Sequence, residues 1–138
     1  MISKKASIAI LASLSLSGCV TTGAPSPSAP TTRPTSQAIS AMGGGLIGGS
    51  IGDDLSRGDR RKALEAEYRA LEYTQSGQTV SWAGDDGKDR GEVVAAQPYR
   101  VGSQDCRQYV HTLYANGASQ TARGTACRAA NGTWSVLS

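Results

Sequence analysis

This 138-residue chain contains three cysteines, Cys19, Cys106 and Cys127, and one histidine, His111, which are its most specific candidates for metal binding or nucleophilic chemistry. The cysteines lack the paired spacing of a zinc site, and the glycine-rich stretch of the chain lacks the Lys-Ser/Thr pair of a phosphate-binding loop. His111 falls in a predicted strand with no nucleophile or acidic partner indicated, so we interpret it as a surface residue. The sequence therefore predicts no catalytic residue, no metal ligand, no cofactor and no enzymatic activity.

The first 18 residues are typical of a signal peptide. Two lysines come first, residues 8–16 form a short apolar run, and Leu16-Ser17-Gly18 precedes Cys19. The run is shorter than the roughly 20 residues that span a bilayer. The four residues Leu16-Ser17-Gly18-Cys19 resemble the lipobox of bacterial lipoproteins. This resemblance implies that the signal peptide is cleaved before Cys19. It also implies that Cys19 receives diacylglycerol and a further acyl chain such as palmitate. The alternative is an ordinary secretory signal with an incidental cysteine.

The residues after Cys19 indicate where the mature chain is held. Val20 follows the cysteine, whereas an Asp at this position often retains a lipoprotein at the inner membrane, so we expect a lipid-anchored protein of the outer membrane. Residues 19–37 contain four of the five prolines and almost no large apolar side chain. Such a composition cannot offset the entropy cost of ordering. We interpret residues 19–37 as the lipid anchor and a disordered tether.

Residues 38–52 form an uncharged, glycine-rich apolar segment in which Gly44, Gly48 and Gly52 are spaced four apart. On a helix these glycines would form a flat stripe suited to helix–helix association in lipid. In water each glycine opposes a helix by about 1 kcal/mol. Two interpretations follow: a glycine-zipper-like helix that associates with membrane or with itself, or a flexible hinge.

From residue 53 the pattern predicts one α+β domain, 53–138. Ser56-Arg57-Gly58-Asp59 has the spacing of a helix start, and an amphipathic helix is predicted over 60–73, with an exposed ion pair between Glu65 and Arg69. Its apolar residues recur at helical spacing: Leu64, Tyr68 and Leu71.

The remaining chain alternates with the period of a strand. Strands are predicted at 79–82, 91–96 and 99–101, on both sides of Asn116-Gly117, and after the turn at 131–132. The acidic residues at 84–89 fit a hairpin turn better than a calcium loop. The predicted fold is one amphipathic helix packed on a small antiparallel sheet of four to five strands, preceded by the tether and the glycine-rich segment.

The hairpin around Asn116-Gly117 gives a specific register. This dipeptide is a strong signal for a two-residue turn, and Cys106 and Cys127 both lie ten residues from it. They would face each other as a non-hydrogen-bonded pair, where side chains come closest. An exported protein meets oxidising conditions, so we predict a Cys106–Cys127 disulfide. A bulge at Gly124 would shift this register by one residue.

The charge balance gives no indication of a nucleic-acid partner. The chain has 14 basic and 11 acidic residues, a net charge of +3. Lys4 and Lys5 leave with the predicted signal peptide, so the mature chain carries about +1.

Several of these pieces together resemble the rickettsial 17-kDa surface antigen family of glycine-zipper outer-membrane lipoproteins. The resemblance implies an outer-membrane or surface-exposed lipoprotein with no defined activity. Members of that family often have two glycine-rich segments, whereas this chain has one. The matching pieces are Leu16-Ser17-Gly18-Cys19, the glycines at 43–52, the Asp53–Tyr73 helix, Cys106-Arg107-Gln108-Tyr109, Gly124-Thr125-Ala126-Cys127-Arg128 and Asn131-Gly132-Thr133-Trp134.

We therefore expect an outer-membrane lipoprotein with a structural or surface-antigen role. Its expected partners are the membrane, through the lipid, and other copies of itself, through the glycine stripe; the sequence identifies no protein partner. The alternative is a tethered binding or inhibitory module for an envelope, host or hydrolase ligand. That function needs an exposed apolar patch, for which Tyr99, Tyr109 and Tyr114 are candidates, although packing within the sheet also accounts for them.

Overall fold

The computed structural model describes residues 33–137. The signal peptide, Cys19 and most of the tether lie outside these residues. The described residues have the predicted α+β class, but they form two helices and six strands, whereas one helix and four to five strands are predicted from the sequence. The elements are α1 (Ser36–Ala41), α2 (Arg57–Glu72), β1 (Thr79–Ala83), β2 (Arg90–Ala95), β3 (Tyr99–Val101), β4 (Gln104–Ala115), β5 (Ala118–Arg128) and β6 (Trp134–Leu137).

The strands form one antiparallel sheet in the order β1-β2-β4-β5-β6, and β3 pairs with β4. Asn116 and Gly117 join β4 to β5 with φ of 53° and 74°, as a two-residue hairpin turn with two left-handed residues requires. The register sets Cys106 opposite Cys127 and continues unbroken through Tyr109 and Gly124. Cys106 and Cys127 form a disulfide with an Sγ–Sγ distance of 2.06 Å. The predicted pairing is therefore confirmed, and no bulge at Gly124 shifts it.

Helix α2 begins where the sequence predicted. The Ser56 hydroxyl accepts a hydrogen bond from the backbone N–H of Asp59 at 3.1 Å and donates one to the Asp59 carboxylate at 2.9 Å. The predicted ion pair is wrong in its partner, because Glu65 bonds to Arg61, one turn earlier, at 3.1 Å. The buried side of α2 includes the predicted apolar residues Leu64, Tyr68 and Leu71.

Two different elements cover the inner face of the sheet. Helix α2 packs mainly against β1 and β2. Helix α1 packs against α2 and β6, and the segment that follows α1 lies over β5, where Leu46 contacts Gly124. A Cβ atom on Gly124 would come within 2.7 Å of Leu46 Cδ2. In many two-layer folds a second long helix covers this part of the sheet. In this domain a stretch of turns covers it.

The glycine-rich segment is a series of turns from residue 42 to residue 50. The glycines at 43–45 have φ of 61°, 97° and 62°, and Gly52 has φ of 88°. A helix needs φ near −63°, so Gly44, Gly48 and Gly52 do not form the helical stripe that their spacing suggested. Self-association through these glycines stays a prediction.

The same segment contributes to the core of the domain. Its large side chains join one apolar cluster with those of α2 and the sheet. The apolar cluster therefore includes residues such as Ala38 that precede residue 53, the predicted start of the α+β domain. Within residues 33–137, neither α1 nor α2 has the length and apolar composition of a membrane-spanning helix. The large buried side chains of the glycine-rich segment are Met42, Leu46, Ile47 and Ile51, and Leu55 beyond its end is buried as well.

Candidate functional site

A cluster of polar side chains lies at the centre of the domain, between α2 and the sheet. Glu67 comes from α2, Trp82 from β1, and Tyr109 and His111 from β4. Glu67 and His111 are fully buried, and Tyr109 is 1% exposed. Burying a carboxylate costs free energy unless its oxygens are hydrogen-bonded. The hydrogen-bond partners of Glu67 therefore indicate the role of the cluster in the domain.

The Glu67 carboxylate accepts four hydrogen bonds. The Tyr109 hydroxyl donates to Oε2 at 3.0 Å, and His111 Nδ1 lies 2.7 Å from Oε1. The backbone N–H groups of Leu46 and Ile47 donate to Oε2 and Oε1, each at 3.0 Å. Glu67 therefore joins the helix, the sheet and the glycine-rich segment at one point.

The protonation of His111 follows from its two neighbours. Trp82 Nε1 can only donate, and it lies 2.9 Å from His111 Nε2. Nε2 is therefore the acceptor, and Nδ1 carries the proton that it donates to Glu67. Both ring nitrogens are occupied, so a buried neutral imidazole satisfies this geometry without a charged ring.

The interpretation of His111 as a surface residue is wrong. Tyr109, His111 and Leu113 alternate along β4 and all face α2. A polar residue takes this inward position because Glu67 and Trp82 complete its hydrogen bonds. The alternation of Tyr109 and Leu113 around it was the available signal.

Tyr109 remains a hydrogen-bond donor over the whole ordinary pH range. Burial raises the pKa of the Tyr109 phenol strongly, and the adjacent charge of Glu67 and the hydrogen bond to it raise this pKa further. An ionised phenolate beside a buried carboxylate would place two like charges in contact. The group is therefore a fixed donor that holds the Glu67 carboxylate in place.

Gly45 allows the glycine-rich segment to approach this carboxylate. A Cβ atom on Gly45 would overlap Glu67 Oε2 and come 2.8 Å from Leu64 Cδ2. The residue also has a left-handed φ of 62°. Only glycine has no Cβ atom and also adopts a left-handed φ without strain. The hydrogen bonds from the glycine-rich segment to Glu67 therefore require glycine at position 45.

A second buried group, Arg107, holds the end of α2. Its Nη1 donates to the carbonyls of Ala70, Leu71 and Thr74 at 3.0, 2.7 and 3.0 Å, and its Nε donates to the Ala96 carbonyl at 2.9 Å. Helix C-termini leave unpaired carbonyls and a partial negative charge that favour a cation. Burial lowers the pKa of Arg107, and these carbonyls offset the loss of water.

A third contact ties the last turn of α2 to the far side of the sheet. Arg128 Nε and Nη2 bond to the two oxygens of Glu72 at 2.9 and 3.0 Å. Trp134 Nε1 donates to Glu72 Oε2 at 2.7 Å. The hydrogen bond from Arg128 is the main cause that lowers the pKa of Glu72, with a further contribution from Trp134. Such a bidentate pair fixes orientation as well as distance.

The predicted site residues lie in separate places. Cys19 is outside the described residues, and the disulfide lies on the outer face of the sheet, away from α2. Tyr109 is in the core, whereas Tyr114 is half-buried on the outer face beneath the guanidinium of Arg90, 5.1 Å from the ring centre. Tyr99 is 42% exposed on β3. The three candidate tyrosines therefore do not form one patch.

Sequence reasoning missed the cluster formed by Glu67, Trp82, Tyr109 and His111, together with Arg107 and Glu72. Within residues 33–137, no three His, Cys, Asp or Glu side chains gather in a way that would hold a metal ion. Each buried polar side-chain atom of the cluster has a hydrogen-bond partner, either in the cluster or in the backbone of Leu46 and Ile47, so the arrangement is suited to holding the fold together.

Comparison with known proteins identifies relatives. A family described as "17 kDa outer membrane surface antigen" matches residues 69–135, which run from the last turn of α2 to the start of β6. The chain is 38% identical over 88 residues to the 17 kDa surface antigen of Rickettsia bellii, covering 63% of this chain and 55% of that protein. It is 41% identical over 80 residues to the 17 kDa surface antigen of Rickettsia felis, covering 57% of this chain and 50% of that protein.

The chain thus spans about half the length of the curated relatives it matches. No solved structure gives a significant match.

Proposed function

We propose that the protein is a member of the rickettsial 17-kDa surface-antigen-like family and an outer-membrane lipoprotein with a structural or surface-antigen role. The observation that carries the proposal is the family match, which covers nearly the whole sheet. The relatives are named surface antigens, which supports a location at the cell surface or outer membrane.

The internal chemistry of the domain supports a role without catalysis. Glu67 and His111 have the residue types of an acid–base pair, yet both are fully buried. Their hydrogen-bonding positions are taken by Leu46, Ile47 and Trp82 in addition to each other. A catalytic acid or base has to reach the substrate atom directly or through one water molecule. This pair instead stabilises the docking of the glycine-rich segment.

The anchor is the second part of the proposal. Lipid on Cys19 would hold the chain on the membrane, because several acyl chains on one residue exceed the marginal binding of a single chain. The residues between Cys19 and Thr35, where α1 is capped, would then act as the spacer between membrane and domain. The support is the small residues before Cys19 and the composition of the tether.

Fractionation of Cys19→Ala tests the anchor. The wild-type protein should fractionate with the outer membrane and be released only by detergent, whereas Cys19→Ala should appear in the soluble fraction. The matched control is the double variant Cys106→Ala and Cys127→Ala, which removes the other two cysteines and should remain with the membrane. Retention of Cys19→Ala in the membrane would contradict the lipid anchor.

Antibody labelling separates the surface-antigen role from a structural role inside the envelope. Antibodies against residues 33–138 should label intact cells if the domain is displayed outside. Labelling only after the outer membrane has been permeabilised would instead assign the domain to the periplasmic face, and the structural role would stand alone.

One observation favours the alternative function of a tethered binding module. Tyr99 and Val101 lie on the same face of β3 and are 42% and 54% exposed. Contiguous exposed apolar surface marks contact sites on proteins, and these two side chains would be the centre of such a surface. Envelope crosslinking followed by affinity purification tests it: a single saturable partner lost in Tyr99→Ala, but not in Arg100→Ala on the other face of β3, would support binding. Recovery of the same proteins with all three chains would contradict it.

A further inference from the structure

Strand β1 is at one edge of the sheet, and the direction of its backbone groups follows from its neighbours. The N–H of Gly84 donates to the Asp89 carbonyl at 2.7 Å, one step beyond the paired residues Ala83 and Arg90. Because hydrogen-bonded and non-hydrogen-bonded pairs alternate along an antiparallel ladder, Trp82 directs its N–H and C=O toward β2. The alternate residues of β1 direct theirs away from the sheet: Thr79, Ser81 and Ala83.

A second hydrogen bond supports this assignment. The N–H of Ala96 donates to the Gln108 carbonyl at 2.8 Å, in continuation of the register that pairs Val94 with Val110. The even-numbered residues of β2 therefore bond to β4, which leaves Gly91 and Val93 to bond to β1. The free edge of β1 thus presents three N–H groups and three C=O groups from residues 79, 81 and 83.

The edge lacks three features that commonly prevent an edge strand from pairing with another chain. Natural edge strands commonly carry a lysine, a proline or a bulge, whereas Thr79–Ala83 is uncharged, contains no proline and pairs with β2 in continuous register. Thr79, Ser81 and Ala83 are exposed. Among residues 33–137, no other segment forms a backbone hydrogen bond to this edge. The opposite edge strand, β6, is shorter and packs against α1.

We propose that β1 pairs antiparallel with β1 of a second copy of this chain, about a twofold axis through Ser81. In this register Ser81 faces Ser81 of the partner, and Thr79 faces Ala83. The outward-directed groups of one copy then meet those of the other, which gives about six N–H···O=C hydrogen bonds across the axis. A register shifted by one residue would set outward-directed groups against inward-directed ones.

The side chains also suit this pairing. Val80 would face Trp82 of the second copy as a non-hydrogen-bonded pair on the helix side, where aromatic and β-branched side chains stabilise neighbouring strands. Val80 is half-buried and already packs against the core. The Asp85 carboxylates of the two copies would lie at opposite ends of the interface, so no like charges face each other. Such a contact is isologous, as in most homodimers.

The full-length protein with Ser81→Cys tests the proposal by oxidative crosslinking in membranes. A residue on the twofold axis crosslinks to its own copy, and hydrogen-bonded pairs have Cα atoms about 5.5 Å apart, within the usual range for a disulfide. Ser81→Cys should therefore give a disulfide-linked dimer. The matched control is Thr121→Cys, which is exposed at the middle of the outer face of β5 and should give none. Equal crosslinking of the two variants would overturn the proposal.

Sedimentation of the purified chain in detergent gives a second test. Ser81→Lys would place two like charges opposite each other and should weaken the dimer by about fivefold, whereas Thr121→Lys should leave it unchanged. A wild-type chain that is monomeric at all concentrations would overturn the proposal, as would a dimer sensitive to Gly48→Leu but not to Ser81→Lys.

Discussion

The carboxylate of Glu67 lies 2.7 Å from Nδ1 of His111, and both side chains are fully buried. The same carboxylate accepts the backbone N–H groups of Leu46 and Ile47. A single side chain of α2 therefore fixes the distance from the helix to β4 and the position of the glycine-rich segment. A substitution that removes the charge or one oxygen of the Glu67 carboxylate should therefore weaken the packing of α2 on β4 and also the attachment of the glycine-rich segment.

Glu67→Gln should lower the free energy of unfolding by about 2–4 kcal/mol. The amide nitrogen of glutamine cannot accept a hydrogen bond, so the backbone N–H of either Leu46 or Ile47 would lose its acceptor in the core. Urea unfolding at neutral pH measures the change. The control is Glu65→Gln, which loses only the ion pair with Arg61 on the surface of α2 and should cost about 1 kcal/mol or less. Equal costs for the two variants would contradict the role given to Glu67.

Gly45 and Gly49 should respond differently to alanine, although they lie four residues apart in the same segment. Gly45→Ala should destabilise the domain by about 1–3 kcal/mol, because the added methyl group overlaps Glu67 and the residue has positive φ. At Gly49 the methyl group would lie 3.6 Å from the nearest atom, so Gly49→Ala should change stability by about 1 kcal/mol or less. Thermal and urea unfolding measure both. If the segment were a regular helix, the two substitutions would change stability to a similar extent. Similar changes would therefore contradict the series of turns described for residues 42–50.

The contact between Leu46 and Gly124 should appear as a coupling between two substitutions. Gly124→Ala alone should cost about 1–3 kcal/mol, because its methyl group would come within 2.7 Å of Leu46 Cδ2. In the background of Leu46→Ala the same substitution should cost little, since the space has been emptied. Urea unfolding of the four proteins of this cycle gives the coupling energy. Additive effects would show that Leu46 does not cover β5.

The Glu72–Arg128 pair should make stability depend on pH in the acid range. The pKa of Glu72 is lowered in the folded protein, chiefly by the hydrogen bond from Arg128. Its stabilising contribution is therefore fully present above the unfolded pKa of about 4.3 and is lost as the pH falls through the lower folded pKa. Wild type should exceed Glu72→Gln in free energy of unfolding at pH 7 and pH 5, by about 1 kcal/mol, and the difference should shrink toward pH 3. A difference that grows toward pH 3 would contradict this sign.

Local sequence signals were enough to predict the hairpin and the start of α2. Asn116-Gly117 fixes the turn and hence the register, so Cys106 and Cys127 had one arrangement available. Ser56 likewise caps the helix through a residue only three positions away. In each case the interacting residues are close in sequence or are linked by a continuous ladder.

The glycine-rich segment was not predictable in the same way. The spacing of its glycines fits a helical stripe and also fits a series of turns, and the choice depends on Glu67, about 20 residues later. The burial of His111 similarly depends on Trp82 and Glu67, which lie 29 and 44 residues away. Such contacts form only in the assembled domain, so neither periodicity nor propensity reports them.

The intact mass of the protein purified from the outer-membrane fraction without reductant tests the proposed anchor most directly. We predict a chain that begins at Cys19, carries lipid, and has two hydrogens fewer than the reduced sequence because of the Cys106–Cys127 disulfide. An unlipidated chain that begins at another residue would contradict the lipoprotein assignment and would favour a soluble, secreted binding domain.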